Sequence, residues 1–226
     1  MTEPLRTMAY ARFRESLFDR RLKPGQFVSQ RELSELLDVP MGAIREALKR
    51  LEADGLISLI AQRGVQIADV NVAFINDAFE FRIMIETEAV RRSAEAPDVE
   101  RLTDLRSRTQ QIIDQTRNAP SDDLMQAGLQ IDLELHEFLV SVFTNSLIRQ
   151  SYQQLEDKVR LIRLNGTYTV DRLRAAMHEH LEIIDALLAG DEQAAMASLN
   201  AHLTTSWRRS LGLPPELRSK QSSEPQ

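Results

Sequence analysis

Four residues in the second half of the sequence have the types and spacing that could hold a metal ion. Asp132 and His136 are four residues apart in IDLELHEFLVSVF, so both side chains share one face if this segment is helical. His180 lies in HLEIIDALL on the apolar stripe of Leu173, Met177, Ile184 and Leu187, and His202 follows the apolar Leu199 by three residues. One carboxylate and three imidazoles are suitable ligands for a divalent transition metal such as Zn, Ni, Mn or Fe. The pattern therefore indicates a metal site shared by three inward-facing helix faces.

A structural interpretation of the same histidines stays open from the residues alone. A histidine at the edge of an apolar helix face is most often a hydrogen-bonded packing residue, and each of these three could be of that kind. The fourth histidine, His178, aligns with Arg174 and Glu182 on a charged helix face. We therefore expect His178 to face solvent and to take no part in a metal site.

The helices that would position these residues are predicted from breaks in the sequence after Asn71. This region contains few glycines and none of the alternation that marks strands. Prolines, asparagines and glycines interrupt it, and Asn145 in one such break would cap the following helix. Six helices are predicted, at about 72–95, 98–117, 121–143, 146–165, 170–189 and 191–211. The arrangement indicates an all-α antiparallel helical bundle.

A different pattern occupies residues 29–64. Ser29 and Glu32 can form a capping box, in which each side chain accepts a hydrogen bond from the other residue's backbone N–H. Pro40 then ends the first helix, because it lacks an N–H and disfavours helical geometry at the residue before it. A second helix is predicted from about 41 to 54. Two helices separated by so tight a turn indicate a helix-turn-helix.

Three further elements complete this N-terminal unit. Strands are predicted at 56–61 and 65–70, joined by a turn through 62–64. A helix over 7–22 precedes the unit, and residues 27–28 would start a short strand. Together these elements predict a winged helix-turn-helix, whose second helix enters the DNA major groove and whose hairpin tip lies beside the backbone or minor groove. The predicted fold class is therefore mainly α, with this unit followed by the helical bundle.

Charge divides the chain in the same way. The 226 residues carry a net charge of −6, but residues 1–70 carry +1 and the remainder carries −7. We predict a DNA-binding domain over 1–70, an effector-binding and dimerisation domain over 71–212, and a disordered tail over 213–226. Cysteine is absent from the sequence, which excludes disulfides and thiolate metal sites. No apolar run could span a bilayer and the N-terminus lacks an apolar signal region, so we expect a cytoplasmic protein without a membrane partner.

Three segments of the N-terminal unit resemble the DNA-binding domain of the GntR family of bacterial transcription regulators. They are RELSELLDV, IREALKRLEADGLI and QRG. The resemblance implies that Arg31, Arg45, Arg63 and Gly64 contact DNA, and Gly42 and Lys49 on the second helix are further candidates. Where the family usually carries Ser-Arg-Thr-Pro or a similar sequence, this chain has Pro40, Met41, Gly42 and Ala43. Since the arginine is missing at Met41, operator affinity is expected to depend more on Arg45 and Lys49.

The helical half resembles the FadR C-terminal (FCD) ligand-binding domain that one branch of this family carries. The similar segments are FRIMIETEAV, DLELHEFLVSVFTNSLI and HEHLEIIDALLAGDEQAAMASLNAHL. In that domain an aspartate and three histidines bind a metal at the base of a ligand cavity. The resemblance implies that Asp132, His136, His180 and His202 are those ligands, with Zn the expected ion. Six helices in place of seven are similar to the VanR-type subgroup.

A small carboxylate bound at such a metal would need a positive side chain nearby. Arg82 and Glu86 resemble an Arg and Glu pair on the first helix of the FCD domain, and Arg82 is the first candidate for this contact. Arg163 is the second candidate. The alternative for both arginines is a surface ion pair, which for Arg82 and Glu86 would be an ordinary pair of helix neighbours.

Three functions are compatible with the sequence. The first is a transcription regulator, most simply a repressor, which binds a palindromic operator as a homodimer and responds to a small organic acid at the metal site. The second is a regulator for which the metal ion itself is the signal. The third is a helical metalloenzyme, which is disfavoured because no general base or activated nucleophile accompanies the four ligands.

Overall fold

The computed structural model describes residues 4–118, 121–166 and 168–214. Its elements, in chain order, are α1 (Leu5–Phe18), β1 (Phe27–Val28), α2 (Gln30–Leu37), α3 (Met41–Ala53), β2 (Ile57–Ile60), β3 (Gly64–Ile67), α4 (Val72–Glu95), α5 (Val99–Asn118), α6 (Asp122–Val140), α7 (Ser146–Asn165), α8 (Val170–Leu188) and α9 (Glu192–Ser210). The predicted class is confirmed: a winged helix-turn-helix precedes a helical domain. Within the described ranges, no helix has both the length and the apolar character that crossing a bilayer requires.

The helix-turn-helix forms through the local signals that its sequence carries. Ser29 accepts a hydrogen bond from the backbone N–H of Glu32, and the Glu32 side chain accepts from that of Ser29, so both halves of the capping box are present. Asp38 adopts a left-handed conformation at the end of α2. The Pro40 carbonyl then accepts from the N–H groups of Ala43 and Ile44 in the first turn of α3. These contacts fix the angle at which α3 leaves α2.

The preceding helix is displaced from its predicted position. It was expected over residues 7–22, but α1 begins at Leu5 and ends at Phe18. Arg20 takes a positive φ of 61°, which a continuing helix cannot contain. The N–H of Leu22 then bonds to the carbonyl of Ser16, which returns Leu22 to the core at 1% exposure. The apolar Leu22 thus serves the same core without belonging to the helix.

The wing is a three-stranded antiparallel sheet in the order β1-β3-β2. The turn between β2 and β3 is one residue earlier than predicted, because Gln62 takes the left-handed φ of 64° and Gly64 already begins β3. At Gly64 the φ is 95°, and a Cβ would lie 2.9 Å from the carbonyl oxygen of Val28. Glycine is therefore required here for β3 to pair with β1.

The helical domain packs its ligand-bearing helices closely. Helix α8 lies against α5, α6 and α9, and α9 also lies against α4. A Cβ at Gly128 of α6 would lie only 2.5 Å from Cδ1 of Leu173 in α8, so glycine permits this approach. Because Asp132 lies one turn after Gly128 and His180 lies two turns after Leu173, the same approach brings Asp132 close to His180.

Helix α6 is shorter than the sequence suggested. It was predicted to reach residue 143, but it ends at Val140, and Ser141 donates its hydroxyl to the carbonyl of Phe138. Asn145 caps α7 as expected, since its side chain accepts from the N–H of Leu147. Of the predicted disordered tail over 213–226, only Leu213 and Pro214 lie among the described residues.

Helix α7 joins the two parts of the molecule. Asp157 forms an ion pair with Arg14 of α1, and Arg160 lies over the ring of Phe18 at 3.9 Å from its centroid. Gln154 donates to Asp54, the residue that caps the C-terminus of α3. Helix α1, which packs against α3, is therefore in direct contact with a helix of the C-terminal domain.

Candidate metal centre and DNA-binding surface

The three histidines and the aspartate predicted to bind metal come together in the interior. Asp132, His136, His180 and His202 each expose 2% or less of their surface. One ligand atom from each lies within 4.8 Å of the others. His178 is exposed, as its charged helix face indicated. The structure thus selects three of the four histidines and brings their imidazoles around one point.

Two distances inside the cluster suit neighbouring ligands of one tetrahedral ion. His180 Nε2 lies 3.3 Å from His202 Nε2 and 3.4 Å from Asp132 Oδ1. Ligands about 2.0–2.1 Å from Zn²⁺ at tetrahedral angles are separated by about 3.3–3.4 Å. In addition, Nε2 of His136 is buried with no hydrogen-bond partner among the described residues. A bound cation would satisfy this nitrogen, so the residues present fit a divalent transition metal.

Two carboxylates behind the cluster orient its imidazoles. Glu86 Oε2 lies 2.7 Å from Nδ1 of His136, and Glu179 Oε2 lies 2.7 Å from Nδ1 of His202. Each carboxylate holds a proton on Nδ1 and leaves the Nε2 lone pair directed into the cluster. This is the arrangement that keeps a histidine ready to ligate a metal.

The protonation states favour a cation at this point. Burial and the charge of Arg82 lower the pKa of His136 to about 4, and burial together with His202 lowers the pKa of His180 well below its usual range. Both imidazoles are therefore neutral at pH 7, as metal ligands must be. Burial alone would raise the pKa of Asp132, but Arg163 and the histidines outweigh it, so the pKa lies well below its usual range. Its carboxylate stays charged.

The two arginines predicted to contact an effector lie beside the cluster. Arg82 is 3% exposed and pairs with Glu86 at 2.6 Å, so the surface ion pair that was the alternative is buried instead. The NH1 nitrogen of Arg82 has no hydrogen-bond partner among the described residues. Arg163 pairs with Oδ2 of Asp132. Both arginines line the spaces that open next to Asp132.

Several residues of the site escaped the sequence analysis. Tyr152 lines the space beside His136 and donates to Glu86 at 2.7 Å. Glu179, adjacent in sequence to His180, was not singled out, nor were Arg172 and Arg209. The sequence spacing could have indicated Arg209, because it follows His202 by two helical turns and therefore lies on the same helix face.

We expect Glu179→Gln to weaken metal binding about 10–100-fold, the usual cost of losing such an orienting partner. Glutamine keeps the size of the side chain but removes the charge that holds the proton on Nδ1 of His202. Competition against a chromophoric chelator measures the change. Glu182→Gln, on the exposed face of the same helix, is the matched control. Equal metal affinities for the two variants would show that Glu179 does not orient the cluster.

Most of the predicted DNA contacts are exposed on the winged domain. Arg45 and Arg63 are exposed on α3 and in the turn of the wing. Arg31 and Lys49 are also exposed, but they pair with acidic neighbours, Arg31 with Glu35 at 3.1 Å and Lys49 with Glu46 at 2.8 Å. At Gly42 a Cβ would meet nothing within 4 Å, so the start of α3 is open. Gly64 has the backbone role described above.

The comparisons with known proteins cover both halves of the chain. Residues 5–67 match the family described as bacterial regulatory proteins, gntR family, and residues 77–205 match the FCD domain. The chain is 24% identical over 202 residues to the HTH-type transcriptional repressor RspR of Escherichia coli (strain K12), a match that spans 89% of this chain and 87% of RspR.

Solved structures share the fold. A GntR transcriptional regulator from Rhodococcus sp. RHA1 superposes with a TM-score of 0.76 at 22% identity, over 92% of this chain and 97% of that chain. The Zn²⁺-bound FCD domain of TM0439 superposes with a TM-score of 0.50 at 21% identity, over 63% of this chain and 94% of that domain. The matched families and relatives are transcription regulators, which removes the metalloenzyme from consideration. The chain belongs to the GntR family of bacterial transcription regulators and carries an FCD domain behind its winged helix-turn-helix.

Proposed function

We propose that this DNA-binding regulator is a repressor whose operator binding is modulated by a small carboxylate, bound beside a metal ion in the helical domain. The observation that carries the proposal is the buried cluster of Asp132, His136, His180 and His202 next to Arg82, whose NH1 nitrogen lacks a hydrogen-bond partner in the described part of the chain. A ligand carboxylate would supply that partner. Repression is the activity named for the relative RspR.

Asp132 and the Nε2 atoms of the three histidines would hold the ion, with Zn²⁺ the first candidate and Ni, Mn or Fe the others. The bound ion would supply positive charge, and by expanding its coordination beyond the four protein ligands it could take a carboxylate oxygen. Arg82 and Arg163 would then contact that carboxylate from α4 and α7. Arg163 lies on α7, the helix that contacts α1. A movement of Arg163 could therefore be transmitted through α7 to the DNA-binding domain.

A regulator for which the metal itself is the signal is the second candidate. It is favoured by the ion pair between Arg163 and Asp132, because a cation bound to Asp132 would compete with Arg163 without any organic ligand. Measuring operator affinity with metal alone, and then with metal plus organic acids, separates the two candidates. Only the first predicts a further change on adding the acids.

The remaining proposals concern organisation. We place the domain boundary between Val70 and Asn71, and the six helices α4–α9 within the described residues support a VanR-type FCD domain.

A homodimer would present two copies of α3 to successive major grooves. Met84, at 67% exposure, and Leu147, at 71%, offer apolar surface on α4 and α7 for its interface, and light scattering measures the resulting mass. A cytoplasmic location agrees with DNA as the partner.

Arg45→Ala is the test of the DNA-binding surface. Fluorescence anisotropy with duplex from the intergenic DNA beside the protein's own gene should show binding weakened by ~1–3 kcal/mol, if Arg45 reads a base edge. Arg149→Ala, which removes an exposed charge from α7, should leave the affinity unchanged. An unchanged footprint at unchanged affinity for Arg45→Ala would reject α3 as the recognition helix.

A further inference from the structure

Two spaces of different character adjoin beside the metal cluster. They share Arg82, Asp132, Val159 and Arg163. The first space extends between α6 and α7 toward Tyr152 and a second acid, Glu156. The other space lies toward α8 and α9, and its additional polar lining is wholly cationic or neutral: Tyr168, Arg172, Ser206, Arg209 and Ser210. We call this second space the cationic cleft.

The charges that line the cationic cleft are unbalanced. Four arginines line it (Arg82, Arg163, Arg172 and Arg209), whereas Asp132 is the single carboxylate among its lining residues in the described structure. Outside the lining residues, Glu86 pairs with Arg82, and Glu179 pairs with Arg209 at 3.3 Å. A divalent ion on Asp132 would add two positive charges and compete with Arg163 for that carboxylate. One anionic group therefore balances only part of the charge.

The arginines are close enough to affect one another. The Arg172 guanidinium lies 5.4 Å from the centroid of the Tyr168 ring. Burial lowers the pKa of Arg172, and the charges of Arg209 and Arg163 lower it further. Burial also raises the pKa of Tyr168 to about 12, so its hydroxyl remains a hydrogen-bond donor at pH 7. A second anion in this space would relieve the repulsion among the guanidinium groups.

We infer that the effector is a small organic acid with two anionic groups, one placed at the metal cluster and Arg82, and the other held in the cationic cleft by Arg172, Arg209 and Tyr168. The planar forks of arginine match both carboxylate and phosphate oxygens. The second group can therefore be a carboxylate or a phosphate ester. This inference rests on the proposed function, since it names the class of effector for the same site.

Calorimetry on metal-loaded, full-length protein tests the inference with acids of matched carbon number. Butyrate is compared with succinate, valerate with glutarate, and glycerate with 3-phosphoglycerate, all at constant ionic strength. We expect at least one of the acids with a second anionic group to bind more than tenfold tighter than its matched monoanion. In Arg172→Gln this preference should fall below threefold while monoanion affinity stays the same. Arg149→Gln, which removes an exposed charge outside the cleft, should keep the full preference.

Three results would overturn the inference. Equal affinity for monoanions and dianions would show that the effector is singly charged, and if those acids still release the operator, the proposed function stands without it. A preference that survives in Arg172→Gln would place the second anion elsewhere. No binding by any of the acids would show that the cleft does not hold small dianions, while the operator measurements with Arg45→Ala would still test the regulator independently.

Discussion

Replacing His180 and His202 together with alanine is expected to reduce the bound metal from about one ion per chain to none. Two of four ligands are then lost, and of the remaining two, Asp132 is already paired with Arg163. Metal content after desalting, measured by mass spectrometry, reports the result. DNA binding by metal-free protein should remain close to that of the unsubstituted chain, because neither histidine lies in the winged domain.

Stability provides an independent measurement of the same loss. An ion that binds only the folded chain stabilises it by ~2.7–4.1 kcal/mol at 100–1,000 times its dissociation constant. The unsubstituted protein should therefore show a metal-dependent rise in melting temperature that the double variant lacks. His178→Ala is the matched control, since this histidine lies on the same helix but is exposed. Stoichiometric metal in the double variant, or loss of metal in His178→Ala, would contradict the assignment of the ligands.

Glu86→Leu should cause the largest loss of stability, about 3–5 kcal/mol, because it leaves the buried guanidinium of Arg82 without its counter-charge. Glu86 is fully buried and accepts hydrogen bonds from Arg82, Tyr152 and His136. Burial alone would raise its pKa, but Arg82 and His136 reverse the effect and hold the pKa well below the usual range. Denaturant unfolding in chelator isolates this loss from metal binding. For a chain of this length the melting temperature should fall by roughly 6–20 °C.

A double variant distinguishes lost charge pairing from lost packing. Replacing a buried ion pair by apolar side chains of similar size is often close to neutral, so Arg82→Met combined with Glu86→Leu should recover much of the stability. The exposed pair of Arg31 and Glu35 has the same spacing, and Glu35→Leu should cost less than about 1 kcal/mol. If Glu86→Leu costs no more than Glu35→Leu, the buried pair does not have the energetic role that its burial implies.

The sequence was most informative where the signals are local. The capping box of Ser29 and Glu32 and the break at Pro40 place α2 and α3, and the four-residue spacing of Asp132 and His136 puts both on one helix face. Those signals depend on neighbours within one or two turns, so the positions of these helices follow from them. The roles of the site residues in metal, effector and DNA binding stay predictions.

What the sequence did not reveal depends on packing between distant segments. Arg82 and Glu86 have the spacing of a common surface pair, and only the helices packed around them show that the pair is buried. Arg172 and Arg209 belong to different helices, and their proximity is set by how α8 lies against α9. The turn of the chain at Arg20 likewise has no local signal, because a positive φ at arginine is disfavoured without tertiary support.

The contacts of α7 have a consequence for building chimeric sensors from this family. Asp157, which pairs with α1, and Arg163, which pairs with Asp132, are six residues apart, roughly 9 Å along the helix. If the winged helix-turn-helix of another family member were joined at residue 70, its first helix would pack against α7 side chains that evolved with a different α1. Functional hybrids should therefore exchange Gln154, Asp157 and Arg160 together with the N-terminal domain. Such a hybrid would keep the ligand specificity of one parent and take the operator specificity of the other.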